Sequence, residues 1–245
     1  MVDFHSHVLP GIDDGSSSVE MSAAMLKLAA EQGTQTMVAT PHFYADRNTP
    51  AQFLARRQEA VERLQSALQG VVGLPRILLG AEVAYFRGMS DAEALWDLRI
   101  ADTNYILVEP PLLPWDDRVY EELSGLLTKQ NLRPIIAHID RYLHPLHRRR
   151  VLDRLQELPV LLQANASFFS RKLTEKLAIK MLGEGRIHLL GTDCHNRSDR
   201  PPNMEDAIEK IEDSLGIEAL DHISWHEQLV LQEEFSNHCT VGANI

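Results

Sequence analysis

Asp3-Phe4-His5-Ser6-His7-Val8-Leu9-Pro10-Gly11-Ile12-Asp13-Asp14-Gly15 opens the chain and governs how the rest is understood. A short apolar start that breaks into His-x-His, followed by paired aspartates between glycines, is how a strand end and its loop present metal ligands. Side chains alternate along an extended strand, so His5 and His7 face the same side and two imidazoles can grip one ion. Taken alone, the pair is equally well explained as two surface histidines in an N-terminal turn. The rest of the chain tips the balance.

At 245 residues the chain fits one barrel or two small domains, and a hydrophobic fraction of 44% is enough for a substantial core. No apolar run approaches the roughly 18 residues of a membrane span, so no membrane insertion is expected. A formal charge of −11 excludes a nucleic-acid backbone as partner, which needs a basic stripe; Arg148-Arg149-Arg150 is the only local cluster and is expected to be a solvated helix start. Two cysteines, Cys194 and Cys239, and the lack of a signal-peptide pattern fit a reducing cytoplasm.

Working outward from the opening motif, extended and helical patterns alternate. Ser17-Ser18-Val19-Glu20 resembles a capping box, followed by a stripe of Met21, Met25, Leu28 and Ala29 that stops near Gly33. Thr36 to Thr40 is short, apolar and β-rich and ends in Pro41-His42; Thr49-Pro50 then opens a helix with Phe53, Leu54, Val61, Leu64 and Leu68 on its buried side. Ile77 to Ala81 leads to Glu82, Tyr105 to Val108 to Glu109, Pro134 to Ala137 to His138, and Ile187 to Gly191 to Thr192-Asp193-Cys194-His195. Val160 to Ala164 alone ends without an obvious ligand. Further helical patterns cover Val119 to Leu127, Val151 to Leu158, Leu173 to Leu182 and Met204 to Leu215, whereas the last thirty or so residues are less legible, with His222, His226 and His238 expected at the surface.

Seven continuously apolar strands alternating with helices predict an α/β fold with parallel pairing and right-handed crossovers. An open doubly wound sheet gathers its ligands at one switch point, whereas here six strands of seven carry a metal-type residue at the carboxyl end. That distribution requires a ring, a single-domain (β/α)7 barrel spanning residues 1–245. The candidate ligands are His5, His7, Asp14, His42, Glu82, Glu109, His138, Asp193 and His195. Nine are too many for one ion and suit two or three divalent cations. Mixed imidazole and carboxylate ligation without thiolate favours manganese, iron or zinc.

These same residues carry a family resemblance. The opening motif together with Thr40-Pro41-His42, Gly80-Ala81-Glu82, Val108-Glu109, Ala137-His138-Ile139-Asp140-Arg141 and Asp193-Cys194-His195 resembles the polymerase-and-histidinol-phosphatase (PHP) superfamily. The Leu9-Pro10-Gly11-Ile12-Asp13-Asp14-Gly15 loop and Arg200-Pro201-Pro202-Asn203-Met204 resemble, within it, the bacterial CpsB/CapC-like protein-tyrosine phosphatases of capsule and exopolysaccharide operons. The resemblance runs from Val2 to about Leu215. It implies a distorted PHP-type barrel, a trinuclear centre usually assigned to manganese, and hydrolysis of phosphotyrosine in a protein substrate, usually the tyrosine-rich C-terminal tail of a bacterial tyrosine kinase. It also places the nine candidates on family ligand positions, and Arg141 and Arg200 on the catalytic positions that hold the phosphate. Here Ile139-Asp140-Arg141 stands where the family usually has Pro-Glu-Arg, and Glu109 precedes two prolines where an aromatic residue and one proline are common. Homo-oligomerisation is left open.

Chemistry from the residues agrees with that implication. Divalent ions bring bound water toward ionisation at neutral pH, and arginines offer a planar fork to phosphoryl oxygens. A tyrosine leaving group, with a pKa of about 10, needs little help from a general acid. Four rivals remain. A non-catalytic metal-binding or regulatory protein, partnering a kinase through the acidic surface, would need the metals but not the arginine pair. Cys194, five residues and Arg200 have the spacing of thiolate-dependent tyrosine phosphatases, although Asp199 inside that loop would repel phosphate. Amidohydrolases also begin with His-x-His but usually carry a mid-barrel lysine where this chain has Glu109. Histidinol phosphate, or another small phosphomonoester, is the alternative substrate within the superfamily.

Overall fold

The computed structural model describes residues 1–239, with side chains as far as Gln232. Along the chain run β1 (Val2–Ser6), α1 (Val19–Glu31), β2 (Thr36–Ala39), β3 (His42–Phe43), α2 (Pro50–Ala67), β4 (Arg76–Leu79), β5 (Glu82–Ala84), β6 (Tyr105–Glu109), α3 (Asp117–Gln130), β7 (Arg133–Ile136), α4 (Arg148–Gln156), β8 (Leu161–Asn165), α5 (Ser167–Ser170), α6 (Glu175–Gly183), β9 (Leu189–Gly191), α7 (Met204–Leu215) and α8 (Glu218–Cys239). Nine strand segments make seven strands, because two are interrupted: β2 and β3 are separated at Thr40-Pro41, and β4 and β5 at Gly80-Ala81. Proline at 41 lacks the N–H that would continue the ladder.

All pairings are parallel. β2 lies between β1 and β4, and the remaining strands follow in the order β3-β5-β6-β7-β8-β9. Last strand meets first where Ser6 bridges Cys194. There Asp193 N–H donates to His5 O at 2.7 Å and His7 N–H to Cys194 O at 2.9 Å. The expected α/β barrel of seven strands is therefore found, distorted as expected. Its least regular crossover joins β5 to β6 through two 3₁₀ turns, Met89–Asp91 and Glu93–Leu98, in place of an α-helix.

Local chemistry explains the helix starts. Ser18 caps α1 by accepting from Met21 N–H at 3.2 Å, so the expected Ser17–Glu20 box is a single-residue cap. The reciprocal box belongs to α2, where Thr49 Oγ1 accepts from Gln52 N–H and Gln52 Oε1 from Thr49 N–H, with Pro50 in the first turn.

Phe4, Val38, Leu78, Leu107, Ile135 and Leu189 form an inner apolar cluster drawn from the strands, as the filled interior of a small barrel requires. Val230 of α8 joins them, and Glu227 Oε1 accepts from Val2 N–H at 2.9 Å. Thus α8, which sequence periodicity left unresolved, closes the amino-terminal end of the barrel. Two expectations about this segment fail. His226 is buried and His222 half-buried; the His226 ring packs against His188 and His222, with centroids 4.8 Å and 4.5 Å away, respectively. A helix lying across a barrel end buries polar residues that composition alone assigns to the surface. His238 lies outside the described side chains.

Gly191 sits where β9 crosses β1, and a Cβ there would stand 2.6 Å from His5 Cβ and 2.8 Å from Gln163 Nε2. Gly191→Ala is expected to lower stability by about 1–3 kcal/mol through overpacking, read from the midpoint of a urea titration.

Candidate metal centre

Carboxyl ends of strands and the first loop residues after them bring all nine candidates to one mouth. His5 and His7 come from β1 and its exit, Asp14 from the β1–α1 loop, His42 and Glu82 from the second halves of the two broken strands, Glu109 from β6, His138 from the end of β7, and Asp193 and His195 from the exit of β9. Their donor atoms fall into four overlapping groups, each within 4.8 Å: His7, Asp14, His42 and His195; His5, Glu82 and His138; His5, His7 and Asp193; and His42, Glu82 and Glu109. No predicted ligand is left out, and no other described residue enters a group.

Backbone strain aims several of them. His138 and Asp193 are non-glycine residues in the left-handed region, at φ 32° and 53°. Such conformations persist only where surrounding structure enforces them, and here they turn side chains inward at strand ends.

Glu82 is the hub. Its Oε1 lies 2.8 Å from His138 Nε2, and its Oε2 lies 2.8 Å from His42 Nδ1, 3.3 Å from His5 Nε2 and 3.4 Å from His7 Nε2. Burial disfavours its charge, yet His5 and the His138 hydrogen bond outweigh burial and hold the carboxyl well below the usual range. Burial likewise opposes a proton on His7, but Asp13, Asp193 and Glu82 hold its pKa well above the ordinary value. His195 goes the other way: burial, His7 and Arg200 bring it down to about 4. Glu109 is pushed up by burial and by Glu82.

Four residues that sequence reasoning did not assign position this set. Asp13 Oδ2 accepts from His7 Nδ1 at 2.7 Å and from His42 N–H at 3.0 Å, so the second imidazole nitrogen of His7 points into the cluster. Gln163 Oε1 accepts from His138 N–H at 2.6 Å and pairs with His5 Nδ1 at 3.2 Å, doing the same for His5. Gln163 supplies the function of the strand that had no apparent ligand. Asn196 Oδ1 accepts from the backbone N–H groups of Ser198, Asp199 and Arg200, curling the loop so that Arg200 returns over the mouth. Asn165 Nδ2 donates to Asp193 Oδ2 at 3.3 Å.

Arg141 and Arg200 converge on that same oxygen. Each places an Nη2 2.6 Å from Asp193 Oδ2, and Arg141 Nη1 is 3.7 Å from Glu109 Oε1. Both guanidinium groups remain partly open to solvent, so they can also meet a ligand. Cys194 contributes nothing to this mouth: it is fully buried, and burial with Asp3 nearby pushes its thiol far above the usual range. A buried neutral thiol is not a nucleophile, which disposes of the thiolate alternative.

Over residues 1–231 the sequence matches the family described as capsular polysaccharide synthesis, CpsB/CapC. The chain belongs to this family. It is 28% identical over 243 residues to the tyrosine-protein phosphatase YwqE of Bacillus subtilis, covering 96% of this chain and 92% of that protein. Against the tyrosine-protein phosphatase CpsB of Streptococcus pneumoniae it is 28% identical over 226 residues, covering 88% and 91%. A chain from the crystal structures of these two proteins, described as metal-dependent tyrosine phosphatases, superposes with a TM-score of 0.83 at 26% identity over 96% of this chain and 95% of the other.

Because burial keeps the Cys194 thiol protonated, a Cys239→Ser protein is expected to be unreactive toward a thiol-specific chromogenic disulfide at pH 8 while folded. One thiol should appear on unfolding in guanidinium; rapid labelling of the folded protein would mean that Cys194 is accessible.

Proposed function

We infer that this member of the CpsB/CapC family is a metal-dependent protein-tyrosine phosphatase of capsular polysaccharide synthesis, with His5, His7, Asp14, His42, Glu82, Glu109, His138, Asp193 and His195 as ligands. The carrying observation is the four ligand groups sharing members, beside two arginines that meet at one point. Shared members are what a cluster of ions with bridging ligands needs. The donor chemistry fits as well: His195 Nε2 is buried without a hydrogen-bond partner, and the Glu82 oxygens are met by imidazole nitrogens alone, a set that divalent cations satisfy.

When bound, two or three divalent ions, manganese being preferred and iron or zinc fitting the same donors, supply Lewis acidity and an activated water. The protein does the rest. Asp13 and Gln163 fix the tautomers and directions of His7 and His5, so ligand geometry is in place before substrate arrives. Arg141 and Arg200 hold the phosphoryl oxygens in planar, charge-assisted hydrogen bonds and stabilise charge as the ester bond breaks. No described side chain is needed to protonate a phenolate leaving group, whose pKa of about 10 is far below that of an alkoxide. This favours phosphotyrosine over histidinol phosphate, in keeping with the names of the relatives.

The proposed physiological substrate is a phosphotyrosine protein, the C-terminal tail of a bacterial tyrosine kinase, met in the cytoplasm. Among the described residues no helix is long and apolar enough to cross a membrane.

Prolonged chelation is expected to abolish phosphotyrosine hydrolysis and added manganese to restore it; full turnover by protein shown by elemental analysis to be metal-free would overturn the proposal. Arg200→Ala should retain its metals and fold yet lose about 10²–10³ in kcat, with only part recovered in Arg200→Lys, because an ammonium cannot reproduce the guanidinium fork. Wild-type kinetics in metal-replete Arg200→Ala would remove this arginine from the site.

A further inference from the structure

Lined on one side by Glu109 and Arg141, a cavity of about 250 Å³ adjoins the ligand cluster and opens toward solvent. Its walls are Tyr85, Pro110, Pro111, Leu112 and Tyr142, so a polar mouth continues into an apolar slot. The slot is built rather than incidental. Tyr142 Oη donates to Pro110 O at 2.7 Å and Trp115 Nε1 to Pro111 O at 2.6 Å, which staples the two prolines from behind. Tyr85 N–H donates to Glu109 O at 2.8 Å, tying the opposite wall to the strand that carries the carboxylate. Trp115 packs against the Tyr142 wall with ring centroids 4.9 Å apart. At the lip, Leu112 is 90% exposed, a large apolar side chain held over the opening with nothing covering it.

Position decides what fills it. The slot shares Glu109 with the ligand cluster; its Oε1 is 3.6 Å from His138 Nε2 and 3.7 Å from Arg141 Nη1. Glu109 and Arg141 thus border both the ligand cluster and the slot, so the slot adjoins the place where Arg141 would grip a phosphoryl group. An alkyl phosphate of small size would leave these apolar walls wet, whereas an aromatic ring can pack against tyrosine and proline faces. We propose that the slot seats the aromatic ring of the substrate's phosphotyrosine, and that Tyr85 and Leu112 set the preference for aryl over small alkyl phosphate groups. This rests on the phosphatase function inferred above and adds the residues that select the substrate class.

The test separates ring recognition from chemistry by using phosphonates, which cannot be hydrolysed. Calorimetric titration of the manganese-loaded protein with phenylphosphonate and methylphosphonate should show the phenyl compound binding about tenfold tighter or more, the order expected for burying an aromatic face. In Tyr85→Ala and Leu112→Ser the phenyl advantage should fall to about threefold or less, while methylphosphonate affinity and metal content stay at wild-type values. Leu112→Ser alters an exposed loop residue, so it reports on the slot even where Tyr85→Ala fails to fold. Equal binding of the two phosphonates by wild type, or a phenyl advantage that survives in Leu112→Ser and in folded Tyr85→Ala, overturns the slot while leaving phosphatase activity intact. If neither phosphonate binds and phosphotyrosine is not hydrolysed, the inferred function itself fails, and the slot with it.

Discussion

Everything at the barrel mouth depends on keeping the buried carboxylate of Glu82 charged. Moving an isolated carboxylate out of water costs far more than one side chain can return, and such a group ordinarily takes up a proton instead. Glu82 avoids this because His5, His7, His42 and His138 surround its two oxygens at 2.8 to 3.4 Å. Imidazoles are suited to the task in two ways. They can carry the compensating proton themselves, or surrender it and leave both carboxylate and ring nitrogen free to bind a cation.

Holding that many donors around one group constrains the barrel. A regular strand would send alternate residues to opposite faces, but the mouth needs its ligands within a few ångströms. Breaks after β2 and β4 allow His42 and Glu82 to begin new short strands that pair with each other, directly opposite in register. Left-handed backbone at His138 and Asp193 turns two further side chains inward. At Gly191 the chains approach so closely that no Cβ fits. Distortion of the barrel is therefore a consequence of the site rather than a defect of the fold.

The nine candidate residues were legible through their number at strand ends and in first loops and through the family resemblance they carry, since any one of them alone has an ordinary structural explanation. Periodicity also exposed the seven strands and six of the longer helices. What stayed hidden has a physical reason in each case. Gln163 looks like an ordinary strand polar residue, since its value lies in accepting from His5 and His138, which are remote in sequence. Asp13 and Asp14 are indistinguishable as types; only the folded loop sends Asp13 to the back of His7 and leaves Asp14 facing His42 and His195. For α8, a helix that covers the end of a barrel buries one narrow row around Ile223, His226 and Val230, too sparse to stand out as a stripe.

The two arginines complete the electrostatics. Both reach Asp193 Oδ2, an oxygen that also accepts from Asn165, so one carboxylate oxygen gathers three donors. That is the coordination a phosphoryl oxygen would seek, and the carboxylate marks the point to which the guanidinium groups are already directed. Arg200 is brought there by the Asn196 turn and Arg141 by the 3₁₀ turn Ile139–Tyr142, so neither depends on a substrate to find its place. A phosphoryl dianion entering beside Asp193 would share donors that are prearranged, with little reorganisation charged against binding. In the proposed function charge would then select the phosphate and the arginines would orient it, while the proposed slot of apolar walls beyond Arg141 would distinguish what the phosphate is attached to.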